Sequence, residues 1–141
     1  MPPCIVIDTN VFIAALRSRT GASFRLLSLV GAGRFDIAMS VPMMMEYESV
    51  AKRPIEGLAL SIAQIDDILD YLCFVGRRVN IHYLWRPLLP DPKDDLVLEA
   101  AVAAEAWAIA TFNRGDFRGA ERFGLRILSP QACLIQLGVT P

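Results

Sequence analysis

Four stretches of the chain carry oxygen-bearing side chains at spacings that invite chemistry. Asp8 and Asn10 follow an apolar run, Glu46 and Glu48 lie in a helix-like segment, and Asp91, Asp94 and Asp95 fall within five residues. Thr111, Asn113 and Asp116 follow a second apolar run. Carboxylates brought together repel one another unless a cation neutralises them. Hard oxygen donors without histidine or cysteine beside them favour Mg2+ or Mn2+. Such ions activate a water and stabilise charge on a phosphate, which suits phosphodiester hydrolysis without a protein nucleophile. The single histidine, His82, lies far from these stretches, so histidine acid–base catalysis is not expected.

The elements between these residues must bring them to one place. Residues 4–7 read as a strand buried on both faces of a parallel sheet. Asp8-Thr-Asn then opens a helix over residues 11–16. Residues 24–30 read as a helix, 35–39 as a strand, and 40–51 as a helix entered through Ser40 and Pro42. Residues 61–74 have the apolar stripe of an amphipathic helix. Residues 79–84 read as a strand or an irregular connection, and 87–92 as a loop. An alanine-rich helix spans 94–106, a strand 107–111, a loop 113–119, a last strand 125–128 and a last helix 129–137. Strands alternating with helices predict an α/β fold with a mostly parallel sheet, helices on both faces, and ligands beyond the carboxyl ends of the strands. Residues 1–141 are expected to form one domain, with no repeat or linker.

Bulk properties narrow the function classes. The chain is 54% hydrophobic and 21% charged, so it can fill a core, with part of the apolar excess available for a subunit interface. A net charge of -1 gives no global attraction to nucleic acid. Twelve of the 14 basic residues are arginine, which suits bidentate phosphate contact. Arg17, Arg19 and Arg25 flank the first motif, and Arg114, Arg118 and Arg122 flank the last; both groups are candidates to line an RNA path. Cys4, Cys73 and Cys133 form no CxxC pair, so neither a zinc site nor a disulfide framework is indicated. Cys4 and Cys133 read as reduced core residues. No basic leader precedes the first strand, and no apolar run approaches the ~20 residues of a membrane span. A soluble cytoplasmic protein is expected.

The segments Ile5-Val-Ile-Asp-Thr-Asn-Val-Phe-Ile, Glu46-Tyr-Glu-Ser-Val-Ala-Lys-Arg-Pro, Asp91-Pro-Lys-Asp-Asp-Leu-Val-Leu-Glu-Ala-Ala and Thr111-Phe-Asn-Arg-Gly-Asp-Phe together resemble the PIN (PilT N-terminus) domains. The likeness runs over essentially the whole chain and is closest to the branch of toxin components of toxin–antitoxin systems, the VapC-like ribonucleases. The resemblance implies a three-layer α/β/α sandwich, Rossmann-like, and Mg2+- or Mn2+-dependent cleavage of single-stranded RNA. It places the family's four acidic residues on Asp8, Glu46, Asp94 and Asp116, as catalytic and metal-holding groups. It further implies a homodimer or higher homo-oligomer and a cognate antitoxin as partner. Phe112 departs from the pattern, since many relatives carry a small residue there.

Each candidate has a plainer alternative. Asp8 is also a preferred helix N-cap, and Asn10 a turn residue. Glu46 and Glu48 are about 200° apart on a helix, so only one faces the rim; Glu46, in line with Val50, is favoured. Asp94 shares a stripe with Val97 and Ala101, whereas Asp95 aligns with Leu98, Glu99 and Val102, a less clear face. Asp91 and Asp95 are therefore supporting residues, with Asn10, Thr111 and Asn113 beside them. The Gly31-Ala-Gly33 pair follows a helix and lacks a third glycine, so it is not a dinucleotide fingerprint. Two other functions compete: a catalytically silent module that keeps the fold for binding or dimerisation, and an aspartyl-phosphate receiver or phosphatase. The receiver needs a partner lysine or a second Asp two residues on, and here that position is Asn10.

Overall fold

The computed structural model describes residues 2–54, 57–81 and 89–139. Among them five strands form one sheet in the order β3-β2-β1-β4-β5, and every pairing is parallel. The strands are β1 (Cys4–Ile7), β2 (Asp36–Met39), β3 (Arg77–Arg78), β4 (Ala108–Ala110) and β5 (Arg126–Leu128). The helices are α1 (Thr9–Arg17), α2 (Ala22–Ser28), α3 (Val41–Ala51), α4 (Ile62–Val75), α5 (Pro92–Ala103) and α6 (Pro130–Gln136). Helix α5 packs against β1, β2 and β4, while α2 packs against α1 and α6. The result is a three-layer α/β/α sandwich.

The strands form where expected because their residues are apolar on both faces. Every residue of β1 and β4 is buried, and Ile5, Val6 and Ile109 are fully enclosed. Complete burial of one such side chain stabilises by about 1.5–3 kcal/mol. Helix starts follow capping chemistry: Ser40, Ser61 and Ser129 each accept a backbone N–H in the first turn, and Gln64 completes a capping box with Ser61. Pro42, Pro92 and Pro130 occupy first-turn positions where no donor is lost.

Three expectations are corrected. The third strand in chain order is Arg77–Arg78, just before the expected 79–84 run; residues 79–81 carry no strand. Both residues are exposed arginines at the sheet edge, so the strand has no apolar pattern to reveal it, and the charges guard the edge from further pairing. His82, the rest of that run and residues 87–88 of the expected loop lie outside the described residues. The loop at 113–119 contains a short 3-10 turn, Arg114–Phe117, anchored by the fully buried Phe117. Helix α5 has no single apolar stripe: Asp95, Val97, Leu98, Glu99, Ala100 and Ala101 are all buried. It lies in the interior rather than across a surface.

Candidate active site

In a sheet of this order the chain reverses its direction of build between β1 and β4, and the crevice beyond their carboxyl ends is where such folds bind ligands. Ile7 pairs with Ala110 at the end of these two strands. The next residues are Asp8 and Thr111. They stand side by side at the switch point.

Asp8 is 7% exposed and Thr111 is completely enclosed. Thr111 Oγ1 donates to Asp8 Oδ2 at 2.7 Å, and the Thr9 N–H donates to Asp8 Oδ1 at 2.8 Å as Asp8 caps α1. The cap and the site role therefore coexist in one carboxylate. The Asn113 N–H donates to Thr111 Oγ1 at 3.0 Å, so the hydroxyl is a relay between the following loop and Asp8. Asn10 Oδ1 lies 3.4 Å from the Phe112 N–H, which ties the start of α1 to the same loop. Burial raises the Asp8 carboxyl above its ordinary range; the bonds from Thr111 and Thr9 oppose the shift, and the charges of Asp116 and Asp91 add to it.

Asp94 carries the clearest electrostatic signature. Its pKa is pushed up to about 7, first by burial and then by the charges of Asp8, Asp91, Asp116 and Asp95. Carboxylates from three separate segments thus press on one another here. Asp91 is the N-cap of α5, accepting from the Lys93 N–H at 2.9 Å. Asp116 is exposed in the 3-10 turn, its N–H donating to the Asn113 carbonyl at 3.0 Å.

Asp95 does something different. At 2% exposed it is more deeply set than Asp94, and its Oδ1 accepts from the Leu89 N–H at 3.0 Å, tying down the approach to α5. Glu46 is half-buried and Glu48 exposed. The Glu46 Oε1 lies 3.6 Å from the ammonium of Lys93, which is next to Asp94 in the chain. Arg17, Arg19, Arg25, Arg114, Arg118 and Arg122 are all exposed. Arg122 lies over the Phe123 ring at 5.1 Å.

Tyr47 was not among the sequence candidates. It is buried, stacks on Phe12 with ring centroids 4.7 Å apart, and its hydroxyl donates to the Ile7 carbonyl immediately before Asp8. It pins α3, which carries Glu46, to the end of β1. The signal was available: a tyrosine one residue from the candidate glutamate needs a partner for its hydroxyl once buried.

The donor set is oxygen-only, and Asp94, pushed up first by burial and then by four neighbouring carboxylates, is a group that a divalent cation would return to its charged form. Among the described residues, no three His, Cys, Asp or Glu side chains stand close enough to hold an ion as they are. The chemistry of the donors fits a hard divalent ion, which Asp8, Asp94 and Asp116 would hold.

The sequence matches the model of the PIN domain family over residues 4–115, which takes in Asp8, Glu46 and Asp94 and ends one residue before Asp116. The chain belongs to the PIN domain family. No curated protein matches it. Sixteen solved chains match this PIN domain in structure. One is the crystal structure of VapBC2 from Rickettsia felis bound to a DNA fragment from their promoter. At 16% identity and a TM-score of 0.58, that likeness covers 89% of this chain and 98% of the other, and it shows the shared fold. No helix of the described residues is long and apolar enough to cross a membrane.

Proposed function

We propose that this single-domain protein is a Mg2+- or Mn2+-dependent endoribonuclease, the toxin of a toxin–antitoxin pair. It hydrolyses phosphodiester bonds of single-stranded RNA in the cytoplasm. The observation that carries the reading is the meeting of Asp8, Asp91, Asp94 and Asp116: burial first, and then the charges of the neighbouring carboxylates, push Asp94 up to about 7. Membership of the PIN domain family, whose members are generally nucleases, supports it. Asp8, Glu46, Asp94 and Asp116 hold the ion, which supplies an activated water and a counter-charge for the phosphate. Thr111 fixes the orientation of Asp8, Tyr47 fixes α3 against β1, and Asn10 and Asn113 fix the loop that presents Asp116. The exposed Arg17, Arg19, Arg25, Arg114 and Arg118 are the groups to contact the RNA backbone.

The likeness to VapBC2 supports an antitoxin partner. Exposed Val41, Met45 and Phe74 offer apolar surface to a second copy of the chain in a homodimer. The test is cleavage of an end-labelled single-stranded RNA. Products should form with Mg2+ or Mn2+, vanish in excess chelator, and vanish in Asp8→Asn and Asp94→Asn variants that remain folded at the assay temperature. Undiminished cleavage in chelator would overturn the reading.

The second reading is the catalytically silent module: among the described residues no three carboxylates stand close enough to hold an ion as they are. That alternative predicts neither cleavage nor a rise in melting temperature with either ion, since only a ligand bound to the folded state stabilises it.

A further inference from the structure

Lys93 is oddly placed for a lysine. It lies in the first turn of α5, directly after Pro92, where the helix macrodipole disfavours positive charge. It is flanked by Asp91 and Asp94, yet its ammonium reaches across to Glu46 on α3 at 3.6 Å. The Glu46 side chain is 21% exposed and that of Lys93 60% exposed, so the ammonium keeps most of its access to water while the carboxylate is largely covered. The chain has only two lysines against twelve arginines. Lys52, the other, is held at the end of α3 by Glu48 at 3.0 Å and Asp66 at 2.6 Å. A compact ammonium on a flexible stem is the basic group best able to leave a carboxylate when a competitor arrives. A local rule broken without gain to the helix itself is expected at functional positions.

The charges acting on Asp94 come from Asp8, Asp91, Asp116 and Asp95, whereas the Glu46 carboxylate makes its contact with Lys93 on α5. We propose that Lys93 is a positioning residue that neutralises Glu46 when no ion is bound and must release it when a divalent ion binds, so that Lys93 sets how tightly the ion is held. The inference rests on the carboxylate group being an ion site, as argued above. Lys93 then acts as a displaceable internal counter-ion. It lets Glu46 approach the acidic rim without adding to its repulsion, at the cost of weaker ion binding.

The experiment is Mn2+ binding to the full chain, read from the electron paramagnetic resonance signal of free Mn2+, with no RNA present. Lys93→Met should bind Mn2+ about three- to tenfold more tightly than the wild type, the size expected for one unit charge near a partly solvated divalent ion. Lys93→Arg, which keeps the charge, should stay within about twofold of the wild type. Lys52→Met removes the same charge from the far end of α3 and should leave the constant unchanged. A merely structural role for Lys93 would weaken binding on its removal, not tighten it. Unchanged or weaker binding by Lys93→Met, or equal tightening by Lys52→Met, overturns the inference while leaving the ion site intact. Absence of Mn2+ binding by the wild type and every variant overturns the ion-site reading, and this inference with it.

Discussion

Thr111 and Asp8, 103 residues apart in sequence, share a 2.7 Å hydrogen bond between two side chains that are almost wholly removed from solvent. The bond joins the ends of neighbouring parallel strands, so the position of Asp8 is set by the register of β1 against β4 rather than by its own flexible side chain. Hydrogen bonds to ionised groups contribute about 1.5–3 kcal/mol. Thr111→Val, which keeps the shape and removes the hydroxyl, should cost about that much in urea unfolding at pH 7. The loss should be smaller at pH 4, because the hydroxyl stabilises the charged form of Asp8 and lowers its pKa. A pH-independent loss would mean that Thr111 acts only through packing.

Asp94 gives a prediction of opposite sign. Its folded-state value of about 7 lies above the ordinary 3.8, so the folded protein holds a proton that the unfolded chain gives up. Between about pH 4 and 7 this group therefore makes the protein less stable as pH rises, and the penalty is complete above pH 7. Asp94→Asn should melt a few degrees above the wild type at pH 8 in chelator, and level with it at pH 4. Saturating Mn2+ should reverse the order at pH 8 by stabilising only the wild type. Thermal melts at the two pH values, with and without the ion, check all three statements.

Tyr47 separates stacking from hydrogen bonding. Tyr47→Phe keeps the ring against Phe12 and should lose about 0.5–1.5 kcal/mol with the bond to the Ile7 carbonyl. Tyr47→Ala should lose about 3–5 kcal/mol by opening a cavity in the core. Equal losses in chemical denaturation would show that the hydroxyl dominates.

Asp91 and Asp95 should behave differently although both flank Asp94. Asp95→Ala removes a buried acceptor of the Leu89 N–H and should destabilise by about 1–3 kcal/mol. Asp91→Ala removes an exposed N-cap and should cost about 0.5–2 kcal/mol, with partial relief from lowering the charge around Asp94. Paired urea titrations in chelator test the ranking, which fails if Asp91→Ala is the more damaging change.

The fold was largely legible because its signals are local. Cys4–Ile7 is apolar throughout, Ser40, Ser61 and Ser129 announce helix starts, and alternation of strand and helix dictates a parallel sheet. Arg77–Arg78 escaped because an edge strand of two exposed residues needs no hydrophobic pattern. At the site, Asp8 and Thr111 were legible as the residues that end two buried strands. Periodicity favoured Asp94 over Asp95, but α5 is buried nearly all round, so spacing could not show that Asp95 accepts from the Leu89 N–H. Tyr47 and Lys93 were missed for a related reason. Each matters through a partner on another element, and sequence spacing within one helix is silent about such pairs.

Anomalous scattering from a crystal soaked in Mn2+ tests the central claim most directly. The account predicts a manganese peak within about 2.0–2.5 Å of carboxylate oxygens of Asp8 and Asp94, with Asp116 and Glu46 on its other sides. A peak seated away from Asp8 and Asp94, or no peak at saturating Mn2+, would contradict it.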